Sequence, residues 1–138
     1  MSLGLYLHIP YCFSKCRYCD FYSHPGERGV PEAYVDALLR ELDRFAPEAP
    51  LQPDTLYFGG GTPSLLRPEQ AKRLIDAARP MPGAEITLEA NPETVTEQSL
   101  AGFREAGVNR ISFGVQSARD TQLRTLGRPH SAKQARAA

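Results

Sequence analysis

No run of apolar residues in this chain comes near the ~20 needed to cross a lipid bilayer, and neither sign of charge is in excess, since 16 basic residues balance 16 acidic ones among 138. The first lack argues against a transmembrane segment. The second gives no reason to expect a nucleic acid or an anionic membrane surface as partner. The N-terminus has no basic stretch followed by an apolar core and a small-residue cleavage site, so nothing there reads as a secretory signal. Cysteine is scarce, with three in the whole sequence. An odd, small number does not make the disulfide framework of a secreted domain. Free thiols without an export signal fit a reducing compartment, so a cytoplasmic location is expected. Hydrophobic residues at 41% and charged residues at 23% are those of an ordinary globular protein, and this length suffices for one domain with a buried core.

The cysteines that are present stand together. Cys12, Cys16 and Cys19 lie in one run from His8 to Phe21, separated by three and then two residues. Thiolates are the usual protein ligands of iron–sulfur clusters, and a cubic four-iron cluster normally takes four of them. Three from one loop leave one iron without a protein ligand, and an open coordination position is where a metal centre does chemistry. Lys15 and Arg17, between the cysteines, add positive charge that favours thiolate over thiol. Two other readings stand beside this one. A structural zinc site would recruit His8 or His24 as a fourth ligand, and a disulfide would leave one thiol over.

Four short segments, at about residues 3–9, 55–58, 85–90 and 110–115, are apolar at alternate positions and end in glycine, proline or polar residues, the pattern of strands. Helical periodicities lie between them at about 31–45, 68–79 and 96–106. Pro31 is suited to the first turn of the first, Pro80 stops the second, and Thr96 or Thr94 caps the third before Gly107 ends it. Residues 119–126 suggest a short further helix, and Ser131 a cap for another running to Ala138. Strand–helix alternation predicts an α/β fold with a parallel sheet and right-handed crossovers.

Within each strand one face is apolar, as in Leu5, Leu7 and Ile9 or Leu56 and Phe58, while the other carries Tyr6, His8, Tyr57, Thr87, Glu89, Ser112 and Gln116. A flat sheet with helices on both faces would be apolar throughout. The alternation therefore predicts a curved sheet, part of a (β/α) barrel with helices outside and a polar lumen; a one-sided sheet open to water is the alternative. The polar residues crowd the C-terminal ends of the strands, where parallel α/β barrels keep their active sites.

Several residues at those ends are candidates for a ligand. Gly59-Gly60-Gly61-Thr62-Pro63 follows the second strand, and glycines there let backbone N–H groups approach a carboxylate. Glu89 is an acid in an otherwise apolar strand, and a buried acid needs a partner. That partner is either an internal arginine, Arg110 or Arg128, or a ligand amine or sulfonium. Gln116, at the end of the fourth strand, is suited to a ribose or a carboxylate, and Arg128 to a bidentate carboxylate contact. Tyr18 is placed to stack on an aromatic ligand or to pack the cysteine loop. His8 and His130 have no legible partner.

The run Tyr6-Leu7-His8-Ile9-Pro10-Tyr11-Cys12, continuing through Cys16, Tyr18 and Cys19, resembles the start of radical S-adenosylmethionine (SAM) proteins, and among them the oxygen-independent coproporphyrinogen III oxidase-like family. Four further blocks resemble that family in order: Gly59-Gly60-Gly61-Thr62-Pro63-Ser64, Leu88-Glu89-Ala90-Asn91-Pro92-Glu93, Ile111-Ser112-Phe113-Gly114-Val115-Gln116-Ser117 and Leu126-Gly127-Arg128-Pro129-His130. The resemblance implies a partial (β/α) barrel of the radical SAM type with a [4Fe-4S] cluster on Cys12, Cys16 and Cys19, its bare iron chelated by S-adenosyl-L-methionine. By the same resemblance Tyr6, Gly60, Gly61, Thr62, Glu89, Gln116 and Arg128 bind SAM, with Tyr18 near the adenine. Cleavage of SAM to methionine and a 5′-deoxyadenosyl radical would draw its electron from a donor protein such as a flavodoxin or ferredoxin.

The family's oxidases have a further cysteine just after the third. Here Asp20-Phe21 follows Cys19, which resembles the haem-chaperone branch, whose members bind haem and hand it to acceptor proteins. Haem is thus the expected cargo. Oxidative decarboxylation of porphyrinogen propionates is the alternative within the family, and a structural zinc module is the alternative from another class. The family's catalytic domain has further strand–helix units and a C-terminal domain, so residues 1–138 read as the N-terminal four βα units of the radical SAM core, truncated, with the last strand an open edge.

Overall fold

The computed structural model describes residues 2–25, 27–45 and 50–138. Four strands, β1 (Gly4–Ile9), β2 (Thr55–Gly60), β3 (Glu85–Ala90) and β4 (Arg110–Phe113), alternate with α1 (Glu32–Phe45), α2 (Pro68–Ala78) and α3 (Glu97–Ala106), and the short α4 (Asp120–Leu126) and α5 (Ala132–Ala137) follow. The strands form one sheet in the order β1-β2-β3-β4, with every neighbouring pair parallel. This is the expected α/β architecture, an open arc of a (β/α) barrel.

The register explains why one face is the core. Leu7 pairs with Phe58, Phe58 with Leu88, and Leu88 with Ile111, so one row of apolar side chains crosses the whole sheet. Val35 and Leu42 of α1, Ala71, Leu74 and Ile75 of α2 and Phe103 of α3 pack against that row. Phe58, Leu56, Leu88 and Leu74 lose all contact with solvent, and each such side chain contributes roughly 1.5–3 kcal/mol on leaving water. The opposite face is open and polar: Tyr6 is 53% exposed, while His8, Tyr57 and Glu89 are half-buried.

The helix ends follow their chemistry. Pro31 stands just before α1, its carbonyl accepting the N–H groups of Tyr34 and Val35, and not inside the first turn. Past α2, Arg79 adopts a left-handed φ of 49° ahead of Pro80, which has no N–H to continue the helix. Thr96 caps α3 by accepting from the Ser99 N–H at 3.1 Å, and Gly107 closes it at φ 116°. Ser131 caps α5 in the same way through the Gln134 N–H at 3.2 Å.

The fourth strand is shorter than its sequence suggested. Gly114 adds one more rung by donating to the Ala90 carbonyl, but Val115 N–H then folds back to the Phe113 carbonyl and Ser117 N–H to that of Val115. These tight turns end the ladder and leave Gln116 at φ 67°, so Gln116 sits on a turn beyond the strand and not on its face.

Candidate functional site

A cleft of about 270 Å³ opens at the C-terminal ends of the four strands. Cys12, Cys16 and Cys19 reach it from the segment after β1, Gly60, Gly61 and Thr62 from the end of β2, Glu89 from β3 and Asn91 from just past it, and Gln116 and Arg128 from beyond β4. Tyr18 lines it as well. Tyr6 does not: its ring lies beside Tyr57, centroids 6.1 Å apart and nearly parallel, and its hydroxyl meets His8 Nδ1 at 3.0 Å.

The cysteine loop is pinned at its base and at its tip. Cys12 N–H donates to the His24 carbonyl, His24 N–H to that of Pro10, and Thr62 N–H to that of Tyr11. Farther out, Arg17 N–H donates to the Leu126 carbonyl at 3.2 Å, which docks the loop on the end of α4. Lys15 Nζ donates to the Phe21 carbonyl at 3.3 Å. All three cysteines are free thiols, Cys12 and Cys16 buried and Cys19 partly so.

Two of the sulfurs already hold hydrogen-bond donors. Arg128 Nη1 points at Cys16 Sγ at 3.1 Å, and Thr62 Oγ1 donates to Cys12 Sγ at 3.6 Å. Arg128 Nη2 donates to Asn91 Oδ1 at 2.7 Å and also to the Gly114 carbonyl. Both terminal nitrogens of this guanidinium are therefore engaged by the protein, and the bidentate carboxylate fork expected from sequence is not what the side chain presents. Its Nε is different: among the described residues it is a buried donor with no acceptor. Burial raises the Tyr18 hydroxyl above its ordinary pKa, with Arg128 pulling the other way and Cys16 adding to the rise.

Glu89 has found neutral partners in place of an arginine. Tyr57 Oη donates to Oε1 at 2.7 Å and Gly60 N–H to Oε2 at 3.2 Å. Arg110 turns instead to Glu85 at 3.4 Å, and Arg128 to the cysteine side. The internal salt bridge considered for Glu89 is thus replaced by two neutral donors, and among the described residues no cationic side chain pairs with it at the cleft wall. Burial, and then the hydrogen bond to Glu89, raises the pKa of the Tyr57 hydroxyl.

The glycine run is tight as well as flexible. A Cβ on Gly60, whose φ is +116°, would fall 2.6 Å from the His8 ring, and one on Gly61 would fall 2.6 Å from the Tyr11 carbonyl and 2.9 Å from Cys12 Sγ. The backbone here lies close under the cysteine loop, leaving space on the cleft side for a ligand.

An iron–sulfur cluster bearing a carboxylate ligand fits these residues. The cleft is ringed by three free thiols, two of them with donors at sulfur, and adds a buried guanidinium N–H unpaired among the described residues. The N–H groups of Gly60, Gly61 and Thr62, expected from sequence to approach a carboxylate, are instead bonded to Glu89 Oε2 and to the Ile9 and Tyr11 carbonyls. Single-ion zinc chemistry has less to work with. His8 commits both ring nitrogens, Nδ1 to Tyr6 and Nε2 to the Tyr22 carbonyl at 3.1 Å. Among the described residues no three His, Cys, Asp or Glu side chains, the three cysteines included, lie close enough together to hold a single metal ion.

The sequence model of the radical SAM superfamily matches residues 6–138, and the chain belongs to that superfamily. Among curated proteins it is similar to heme chaperone HemW of Escherichia coli, 46% identical over 142 residues that cover 99% of this chain and 38% of the relative. HemW of Mycobacterium tuberculosis (strain H37Rv) is 42% identical over 144 residues, 98% of this chain and 37% of its own. Among solved structures, coproporphyrinogen III oxidase (HemN) from Escherichia coli, a radical SAM enzyme, matches with a TM-score of 0.87 at 31% identity, over 99% of this chain and 33% of that one. The chain spans somewhat more than a third of the length of these HemW relatives.

One residue that lines the cleft, Asn91, was not singled out from sequence. Asn91 joins Thr62 and Arg128, with Nδ2 donating to Thr62 Oγ1 at 3.2 Å. His130, left without a partner, is buried, its Nδ1 3.0 Å from Glu93 Oε2 and its Nε2 3.1 Å from the Val115 carbonyl. The signal for both lay in motif blocks already in view, Leu88 to Glu93 and Leu126 to His130, but their partners lie in other loops.

Proposed function

We propose that this chain is the cofactor-holding part of a radical SAM protein that binds haem and passes it to acceptor proteins. One observation carries the reading: Cys12, Cys16 and Cys19 line a single cleft, with donors from Thr62 and Arg128 already aimed at two of the sulfurs. On this reading the three cysteines hold a [4Fe-4S] cluster. Gly60, Gly61, Thr62, Glu89, Gln116, Arg128 and Tyr18 form the SAM side, with Tyr6 supporting Tyr57 behind Glu89. When bound, the cluster supplies single electrons and an iron with an open coordination position.

The chain's own residues have separate tasks. Thr62 and Arg128 offset negative charge on the sulfurs. Glu89, held in place by Tyr57 and Gly60, presents its charge to a ligand ammonium group. The free Nε of Arg128 is the donor offered to a ligand carboxylate. A cytoplasmic setting with a flavodoxin- or ferredoxin-like electron donor completes the proposal.

Asp20 after Cys19 and the similarity to proteins named heme chaperones favour haem as cargo. The structural likeness to coproporphyrinogen III oxidase favours a second reading, oxidative decarboxylation of porphyrinogen propionates. The deciding experiment offers the reconstituted protein haem with an apo-acceptor and, separately, coproporphyrinogen III with SAM and reductant. Stoichiometric haem binding and transfer without release of carbon dioxide is the expected outcome. Sustained decarboxylation would replace the chaperone reading with the oxidase one.

A further inference from the structure

Asn91 is the first residue past β3, and its carboxamide touches both sulfur donors at once. Oδ1 accepts from Arg128 Nη2 at 2.7 Å, and Nδ2 donates to Thr62 Oγ1 at 3.2 Å. Thr62 in turn reaches Cys12 Sγ at 3.6 Å and Arg128 Nη1 reaches Cys16 Sγ at 3.1 Å. A continuous hydrogen-bonded path thus runs Cys12–Thr62–Asn91–Arg128–Cys16.

Donor and acceptor inventory fixes the direction of this path. A guanidinium has no acceptor, so the amide must turn its oxygen to Arg128 and its nitrogen to Thr62. A threonine hydroxyl has one hydrogen. Because Thr62 Oγ1 accepts from Asn91, that single hydrogen is left for the Cys12 sulfur. The same amide anchors one arm of Arg128 so that the other faces Cys16. Gly114 leaves the room this needs, since a Cβ there would lie 2.6 Å from Asn91 Oδ1 and 3.3 Å from Arg128 Nη2.

We infer that Asn91 is a positioning residue that sets both sulfur hydrogen bonds of the cysteine site, and through them the reduction potential of the cluster. This rests on the reading that the three cysteines hold an iron–sulfur cluster. Hydrogen bonds to cluster sulfurs are among the determinants of its potential; each donor stabilises the reduced, more negative form, so losing donors lowers the potential.

The test is a redox titration of the anaerobically reconstituted protein, followed by electron paramagnetic resonance without SAM, for wild type, Asn91→Ala, Gly114→Ala and Thr62→Val. Asn91→Ala is expected to keep its full iron and sulfide and to shift to lower potential. At a fixed ambient potential its reduced-to-oxidised ratio falls about tenfold, equivalent to about 59 mV for a one-electron couple. Thr62→Val is expected to lower the potential of the wild type but to add little in the Asn91→Ala background, since the two act on one path. A residue that serves only folding would move the melting temperature and leave the potential alone. A wild-type potential in Asn91→Ala with a full cluster overturns the inference. Should Asn91→Ala not fold, Gly114→Ala, which displaces the amide without replacing it, decides by the same readout. A wild type that takes up no cluster removes the underlying reading instead, which sets the two failures apart.

Discussion

The guanidinium of Arg128 reaches the sulfur of Cys16 at 3.1 Å although 112 positions of sequence separate them. The contact has a backbone companion, since Arg17 N–H donates to the Leu126 carbonyl. The cysteine loop near the N-terminus is therefore shaped by the segment that follows α4, and the site exists only once the sheet between them has formed.

Cys16→Ala removes one of the three cluster ligands and strands the Arg128 donor beside an apolar methyl. The expected result is loss of cluster iron together with loss of SAM cleavage, measured by iron and sulfide analysis and by 5′-deoxyadenosine release under dithionite. Cleavage retained in that variant would contradict ligation by Cys16.

Glu89→Gln keeps an oxygen for Tyr57 but sets an amide N–H₂ against the Gly60 N–H and removes the charge facing the ligand. SAM affinity should fall about tenfold, roughly 1.4 kcal/mol, with the cluster intact, as read by equilibrium binding to the reconstituted protein. Equal affinity in both proteins would take Glu89 off the ligand side.

Gly61→Ala forces a methyl against the Tyr11 carbonyl and the Cys12 sulfur. Overpacking of this kind costs typically 1–3 kcal/mol. The melting temperature and the iron content should drop together, whereas Gly29→Ala, whose nearest neighbour is a carbonyl 4.0 Å away, should change neither. Equal tolerance of the two substitutions would mean that the loop does not lie as closely over the glycine run as described.

Tyr57 links stability to alkaline pH. Burial first, and its hydrogen bond to Glu89 second, raise its pKa above the ordinary 10.0. The folded chain then holds this proton after the unfolded chain has released it. The contribution is fully present below pH 10 and is lost as pH rises from there through the raised folded value. Urea unfolding between pH 8 and 11 should show wild type losing more stability than Tyr57→Phe. Parallel losses would contradict the raised pKa of Tyr57.

Much of this architecture was legible in the sequence because its signals are local. Alternation at Leu5, Leu7 and Ile9 or Leu56 and Phe58 marks the strands, Thr96 and Gly107 the ends of α3, and the spacing of Cys12, Cys16 and Cys19 the loop. What escaped depends on backbone turns or on distant partners. The fourth strand stops at Phe113 because Val115 and Ser117 bond to carbonyls two residues back, which no side-chain pattern reveals. For Glu89 the sequence leaves open an internal arginine or a ligand cation, and within the protein it is a tyrosine across the strand pairing that reaches it, because β2 and β3 put Tyr57 within reach. Asn91 stands in the sequence only within a motif block, because its partners Thr62 and Arg128 come from other loops.

The measurement that bears most directly on the cysteine site is metal analysis of the protein reconstituted anaerobically with iron and sulfide, with spectra taken before and after adding SAM. A brown protein is expected, with about four iron and four sulfide per chain and a reduced-state resonance that SAM alters. Colourless protein, or zinc as the metal taken up and spectra indifferent to SAM, would contradict a cluster held by Cys12, Cys16 and Cys19.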